Sequence, residues 1–581
     1  MLVYGKFGWT GDPRCKRDAI AALLREMADT PPGIDRHGAL VAAFIETGAL
    51  VQGIADAACG EHAHGASTAA QDAATGVLMT LARLVWDSWR TGFEPAPGPA
   101  LDPSLLAATT LPDRITTRWA EGFAFYAVYP ENCAIAAAHS GLGAGTGVIG
   151  IRSIGVPLGA MVAAALGSER LLTVRPVGHP FRRRVSGDLT SGTDRRLPAP
   201  TDFAIVDEGP GLSGSSFGAV IDRLGAQGVA EDRIALFPSH PGAPGAQADE
   251  RHRSRWHRMR RYSAPFEAAV LAPGRLTGWV ADLVGPVEAP LAEISGGGWR
   301  ALQSRGAEAW PPVNAQQEKR KFLLRAGGGV WLVKFAGLGL AGRTKLDRAR
   351  ALHAAGFTPP VAGYRHGFLI ERWVEDARPL DLCAVAPDGV VDQIGRYLGF
   401  RARHFASGPD RGASLTDLHA MARHNVGEAL GADWARRLDG WTADRLAGLA
   451  AHSHPVEIDG RMQPWEFLLR PDGRLLKCDA LDHHAAHDLV GCQDIAWDIV
   501  GARAELALSD AGRARLMAVV AQASGRPVDH GLLAFLTPCY LAFQLGAASM
   551  AADAAQDSTE GLRLRNGATR YAAQLRDVLK S

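Results

Sequence analysis

The sequence has few cysteines, almost no net charge and no long uninterrupted apolar run. Each absence excludes something. The 7 cysteines (Cys15, Cys59, Cys133, Cys383, Cys478, Cys492 and Cys539) are odd in number and scattered, with no CxxC pair. That pattern argues against a disulfide framework or a cysteine zinc site, and points to a reducing compartment. A formal net charge of +1 excludes a global pull toward nucleic acid or an anionic membrane. No basic flank followed by an apolar core is present, so no signal peptide is expected, and no apolar run reaches the roughly 18 residues of a membrane helix. No tandem repeat is visible. The expectation is a cytoplasmic protein, and the abundance of Ala, Gly and Arg points to a GC-rich bacterial genome. The one dense basic run, Arg251 to Arg261 around Trp256, reads as a solvated face or a contact for a polyanionic substrate rather than for RNA.

At 581 residues the chain is long enough for several domains. Its most informative stretch runs from Phe203 to Ser216, FAIVDEGPGLSGSS. An apolar strand ends in two adjacent carboxylates, Asp207 and Glu208. A Gly/Ser loop and a helix starting near Phe217 follow. Loop amides and a positive helix end suit a phosphate, and Ser213, Ser215 and Ser216 add hydroxyl donors. The acid pair suits ribose hydroxyls or a metal on a pyrophosphate. Upstream, Val148 to Gly159 again reads as strand, tight turn and helix, with Arg152, Ser153 and Gly155 in the turn. Between the two lie Leu171 to Val177, Arg182-Arg183-Arg184 and a small polar run, Ser186 to Thr193.

This order resembles the type I phosphoribosyltransferases over roughly 160 residues. The resemblance implies a loop for phosphoribosyl pyrophosphate (PRPP), a pyrophosphate turn and a flexible lid. It assigns Asp207 and Glu208 to the ribose, as the catalytic pair. It assigns Arg152, Ser153 and Gly155 to pyrophosphate, and Ser213, Gly214, Ser215 and Ser216 to the 5-phosphate, with Mg2+ neutralising charge. The family's loop is one residue shorter than the Gly209-Pro210-Gly211-Leu212 insertion allows.

Around this motif, residues 1–110 read as mostly helical, with helices over Asp18 to Met27, Gly38 to Ala58 and Ala69 to Trp89, and a Pro-rich break at 94–99. His62 and His64 read as solvent-exposed rather than metal-binding. Residues 111–290 alternate strand and helix, which implies a mainly parallel sheet. The aromatics Phe123, Phe125, Tyr126 and Tyr129 are either core or a hood over an acceptor. Residues 291–315 read as a linker.

Residues 316–581 change pattern. Lys321 to Arg325 and Val330 to Phe335 flank three glycines and read as a hairpin. A helix over Lys345 to Ala355, a strand over Phe368 to Val374 and mostly helix follow. A small β lobe followed by a helical lobe is similar to the aminoglycoside-phosphotransferase and choline-kinase group. The resemblance places Lys334 on nucleotide phosphates with Asp347 as its nearest carboxylate partner. It places Glu371 in the adenine hinge and Asp479 on a metal, and makes Gly491 to Asp498 a brace for the catalytic loop. That loop departs from the family's His-Gly-Asp-x-x-x-x-Asn: here it is Asp459-Gly460-Arg461-Met462-Gln463-Pro464-Trp465-Glu466. Arg461 stands where the base belongs, and arginine cannot accept a proton near neutrality. Asp459 is left as a shifted base and Glu466 as a metal ligand. Asp479, Asp482, His483, His484, His487 and Asp488 also cluster, as loop histidines or around magnesium.

The expected fold is therefore multidomain α/β and α+β: a helical N-terminal region, a phosphoribosyltransferase-like sheet flanked by helices, and a two-lobed kinase-like part. The expected function is PRPP-dependent pentosyl transfer to a small molecule, with nucleotide, possible ATP use, in the second half. The alternatives are a small-molecule phosphotransferase with the first domain as nucleotide sensor, and a non-catalytic nucleotide-sensing regulator. Membrane and nucleic-acid partners are not expected.

Overall fold

The computed structural model describes residues 8–59, 68–95, 110–190, 199–303, 306–315, 317–381, 387–485 and 490–580. His62, His64, His487, Asp488, residues 96–99 of the Pro-rich break and residues 191–193 of the expected lid lie outside them.

The fold is mixed α/β. Three N-terminal helices, Pro13–Asp29, Ile34–Cys59 and Ala69–Arg90, pack side by side. Asp12 and Thr68 cap the first and third by accepting backbone N–H bonds. The second helix also packs on Gly155–Leu166, which covers one face of a parallel sheet. That sheet has five strands in the order Leu171–Val174, Gly147–Ile151, Phe203–Asp207, Ile234–Pro238, Arg260–Arg261. Its inner strands are unbroken apolar runs because helices cover both faces. Ser215–Ala226 and Glu250–Arg258 cover the other face, where Phe217, Val220 and Trp256 form a separate core.

A second five-stranded sheet is antiparallel, in the order Ala292–Glu293, Lys321–Ala326, Gly329–Phe335, Phe368–Arg372, Val361–Arg365. The two-residue turn at Gly327 and Gly328 has φ of +57° and +71°, which only glycine adopts at no steric cost. Helix Gly339–Ala354 connects the strands of this lobe. The remainder is helical around the short hairpin Phe467–Leu469 and Leu475–Lys477, with its own core about Leu398, Trp497 and Leu536.

Two pairings cross the expected boundaries: Trp9–Gly11 pairs with Ile115–Thr117, and Ala292–Glu293, in the expected linker, pairs with Phe322 and Leu323. One apolar core runs from the N-terminal helices through Val156 and Leu158 to Phe335 and Phe368 of the antiparallel sheet. Among the described residues two helices, Ile34–Ala58 and His530–Ala555, are long and apolar enough to cross a membrane, although neither is an unbroken apolar run. Of their most apolar windows 78% and 67% are buried inside the protein, as core helices are.

Candidate functional site

Between the antiparallel sheet and the helical lobe lies a cleft of about 180 Å³. Lys334 reaches it from the central strand Gly329–Phe335. Cross-strand pairing puts Lys321 opposite Lys334 and Glu371 opposite Leu332 on the same face. Asp479 reaches it from the other side, just after the strand Leu475–Lys477. Lys334 Nζ and Asp479 Oδ1 are hydrogen-bonded across the junction. Burial alone would discharge Lys334, but Asp479 and then Asp482 hold its pKa above the usual lysine range. Glu371 is pushed up to about 7 by burial, with Lys334 opposing and Asp479 adding to the rise. Asp479, Asp482 and Glu371 thus all act on the Lys334 ammonium, and Lys321 and His483 also act on Asp479.

The segment Asp459 to Glu466 is held from behind. Asp498 accepts the backbone N–H of Asp459 and of Gly460, both at 2.8 Å. Burial, and then Asp459, push Asp498 up to about 6. Asp459 is 0% exposed, so the role of shifted base does not fit it. Its carboxylate accepts from Tyr397 Oη and faces Lys477 Nζ at 3.4 Å and Arg401 at 3.9 Å. Burial would raise its pKa, but Lys477, His483 and Arg401 keep it well below the carboxylate range. Arg461 and Glu466 line the cleft instead, Glu466 3.5 Å from Lys477.

Two other expectations are corrected. Asp347 is exposed, because the helix Gly339–Ala354 turns Lys345 and Arg348 inward and Asp347 outward. Lys345 pairs with Asp482 at 2.7 Å, alongside Lys319, where a carboxylate was expected. His483 and His484 are buried rather than solvated: His483 Nδ1 lies 2.8 Å from the Asp459 carbonyl. Glu371, which the resemblance places in the hinge, is buried and acts on Lys334. Lys477 was not anticipated. Its signal was a lysine closing the apolar Leu475-Leu476 strand.

In the parallel sheet, strand ends bring Arg152, Ser153, Asp207 and Glu208 to one edge. Asp207 is pushed up to about 8, mainly by burial, although it accepts the Glu208 N–H at 2.8 Å. Glu208 is pushed up to about 7 by burial and then by Glu121, at the start of helix Glu121–Phe125. The pyrophosphate role does not fit Arg152, which is buried and donates to Asp56 Oδ1 at 3.1 Å and to Thr173 Oγ1 at 3.1 Å. The phosphate roles do not fit the Ser213 and Ser215 hydroxyls either. Ser215 Oγ donates to the Pro180 carbonyl at 2.8 Å and Ser213 Oγ to Ser215 Oγ at 2.9 Å. Gly214, with φ of +67°, precedes the helix, and Ser216 in its first turn is half-buried. Gly155 is fixed by packing, since a Cβ there would lie 2.5 Å from the Val206 carbonyl oxygen. Phe123, Phe125 and Tyr129 are core, while Tyr126 is 41% exposed. Arg251 and Arg255 are spent on Asp222, and Arg255 and Arg258 on Glu231, so the basic run is an ion-paired helix face.

No protein-family model matches the chain, and no curated protein matches it. Among solved structures, the chain is similar to choline kinase LicA from Streptococcus pneumoniae, at 16% identity and a TM-score of 0.35, covering 53% of this chain and 99% of that one. It is similar to a choline/ethanolamine kinase family protein from Mesorhizobium loti at 16% identity and a TM-score of 0.34, covering 54% and 96%. Spectinomycin phosphotransferase APH(9)-Ia, solved with ADP and spectinomycin, gives 10% identity and a TM-score of 0.33, covering 53% and 96%.

Proposed function

We propose that the chain is a nucleotide-binding protein of the small-molecule phosphotransferase type, with the cleft at Lys334 and Asp479 as its nucleotide site. The observation that carries this reading is the Lys334–Asp479 pair across the two lobes, next to a catalytic-loop segment braced by Asp498. Lys334 would pair with phosphate oxygens, and Asp479 and Glu466 would hold a magnesium ion. Such an ion supplies charge neutralisation on the phosphates.

The chain's own residues then set the chemistry. Arg461 reaches the cleft where a base would stand and offers donors to phosphoryl oxygens, not a proton acceptor. Asp459 is buried and spent on Tyr397, Arg401 and Lys477, so it orients the loop from behind. A positioned general base is typically worth about 10²–10⁴ in rate. Transfer to a neutral alcohol is therefore slow in this reading. The test is calorimetry with Mg2+ and a non-hydrolysable ATP analogue on the wild type, Lys334→Ala and Asp479→Asn. Micromolar binding lost in both variants supports it; no binding by the wild type removes it.

A second reading, PRPP in the parallel-sheet site, rests on the adjacent half-buried carboxylates Asp207 and Glu208. Both are raised, and no cation figures among the causes of their shifts. Asp207 and Glu208 would hold a polyol or its metal, and the helix beginning at Ser215 would face a phosphate with its amides. Ser153, half-buried at the turn, is the remaining side chain there on the pyrophosphate side.

A further inference from the structure

Three segments converge on one point in the large core. His37 comes from helix Ile34–Cys59, Glu131 from the first turn of helix Pro130–Ala138, and His366 from the turn between Val361–Arg365 and Phe368–Arg372. Glu131 Oε1 lies 2.8 Å from His37 Nε2 and 3.1 Å from His366 Nε2. The three side chains are at most 1% exposed. Trp89, Phe93, Tyr129 and Trp279 stack around the rings. Glu131 Oε2 has no hydrogen-bond partner among the described residues.

An ionised carboxylate inside an aromatic cage requires a positive charge beside it. Arg275, the guanidinium on this side, is stacked on Trp89 at 4.4 Å and makes no ion pair with Glu131 among the described residues. A divalent ion between the three side chains would supply that charge, because it would pair with the carboxylate and take the lone pairs of the two Nε2 atoms that face it.

We propose that His37, Glu131 and His366 form a buried binding site for a divalent transition metal of the zinc type. The donor set of two imidazole nitrogens and a carboxylate suits zinc. With metal–ligand bonds of about 2.1 Å, tetrahedral ligands stand about 3.4 Å apart. The present separations are 2.8 and 3.1 Å, so a small outward shift of the rings admits the ion. Each Nε2 would give up its proton and present its lone pair. His37 Nδ1, 2.9 Å from Ser88 Oγ, would then donate to that hydroxyl, as the outer nitrogen of a metal-bound histidine does. Glu131 Oε2, the orphan, would complete a bidentate carboxylate. The ion would tie the N-terminal helices, the parallel-sheet part and the antiparallel lobe together.

The full chain is purified without chelator, equilibrated with Zn2+ or Co2+, dialysed, and analysed for bound metal and for the visible spectrum of the cobalt form. We expect about one tightly held ion per chain, with cobalt bands of a four- or five-coordinate site. His37→Gln and Glu131→Gln should lose that ion, whereas Asp479→Asn with Glu466→Gln, which alters the nucleotide cleft, should keep it. Ser88→Ala should fold as the wild type does and bind the metal 10–100-fold more weakly. Failure of the wild type to bind zinc or cobalt stoichiometrically overturns the proposal. So does retention of the ion by a folded His37→Gln chain. If that variant does not fold, unchanged affinity in Ser88→Ala overturns it.

Discussion

The acid pair at the end of Phe203–Asp207 makes a quantitative prediction about protons. Asp207 titrates near 8 and Glu208 near 7 in the empty protein, so at pH 7 the pair carries about 1.4 protons between them. A ligand that needs both carboxylates ionised, such as PRPP with magnesium on the ribose, must expel them. Binding should release about 1.4 protons at pH 7 and about 0.6 at pH 8. The affinity should rise about tenfold from pH 7 to 8, a gain of about 1.4 kcal/mol, and level off above pH 9. The sign follows from the direction of the shifts: the empty site binds more protons than the loaded one, so raising the pH favours loading. Titration calorimetry in buffers of different ionisation enthalpy counts the protons. Asp207→Asn should cut the release at pH 7 to about 0.5, the share of Glu208. Binding of Mg2+–PRPP with release below about 0.3 protons at pH 7, or with the same release in Asp207→Asn, would refute the reasoning. No binding at all would remove PRPP from this site.

Other outcomes follow from the packing and the cleft. Arg461→Asp, which restores a carboxylate to the cleft, should raise ATP turnover on a panel of alcohols by tenfold or more, read as ADP release; an unchanged rate would mean that the loop does not face the acceptor. Asp498→Ala should cost about 2–4 kcal/mol in urea unfolding, because two buried N–H groups lose a charged acceptor; a change under 1 kcal/mol would deny the brace. Gly155→Ala should cost about 1–3 kcal/mol by the same measurement, since its Cβ would press on the Val206 carbonyl. For metal-free protein, stability should fall as the pH drops below about 6.5, because His37 is held neutral in the fold and takes up a proton on unfolding. His37→Gln should flatten that slope.

Much of the secondary structure was legible, because its signals are local. Phe203–Asp207 and Ile234–Pro238 are apolar runs bounded by polar residues, and the glycines at 327 and 328 fix the hairpin that sets Lys334 on its strand. The partners of charged groups were not legible. Lys334 and Asp479 are 145 residues apart, and Arg152 and Asp56 are 96 apart. No spacing rule reports such pairs. Asp347 is the acid on that helix nearest to Lys334 in sequence, but helix phase decides orientation, and it faces outward while Lys345 and Arg348 face in. Ser213 and Ser215 read as free donors because the loop sequence does not show the Pro180 carbonyl that takes Ser215, nor that Ser213 donates to Ser215. The boundary near residue 110 failed to mark a separate core because Ile34–Cys59 is apolar on more than one side and packs on two layers.

The meeting of His37 with His366 has a cost in time during synthesis. At about 5–20 residues per second, a ribosome needs on the order of 15–65 s to make the segment between them. Throughout that interval the helix Ile34–Cys59 has emerged without the lobe that covers its far side, and its apolar surface stands open to other nascent chains. The N-terminal helices therefore have to be sheltered, by one another or by a holding chaperone, until the last third of the chain begins to appear. A chain stalled or cut before residue 366 carries an open apolar face into the cell.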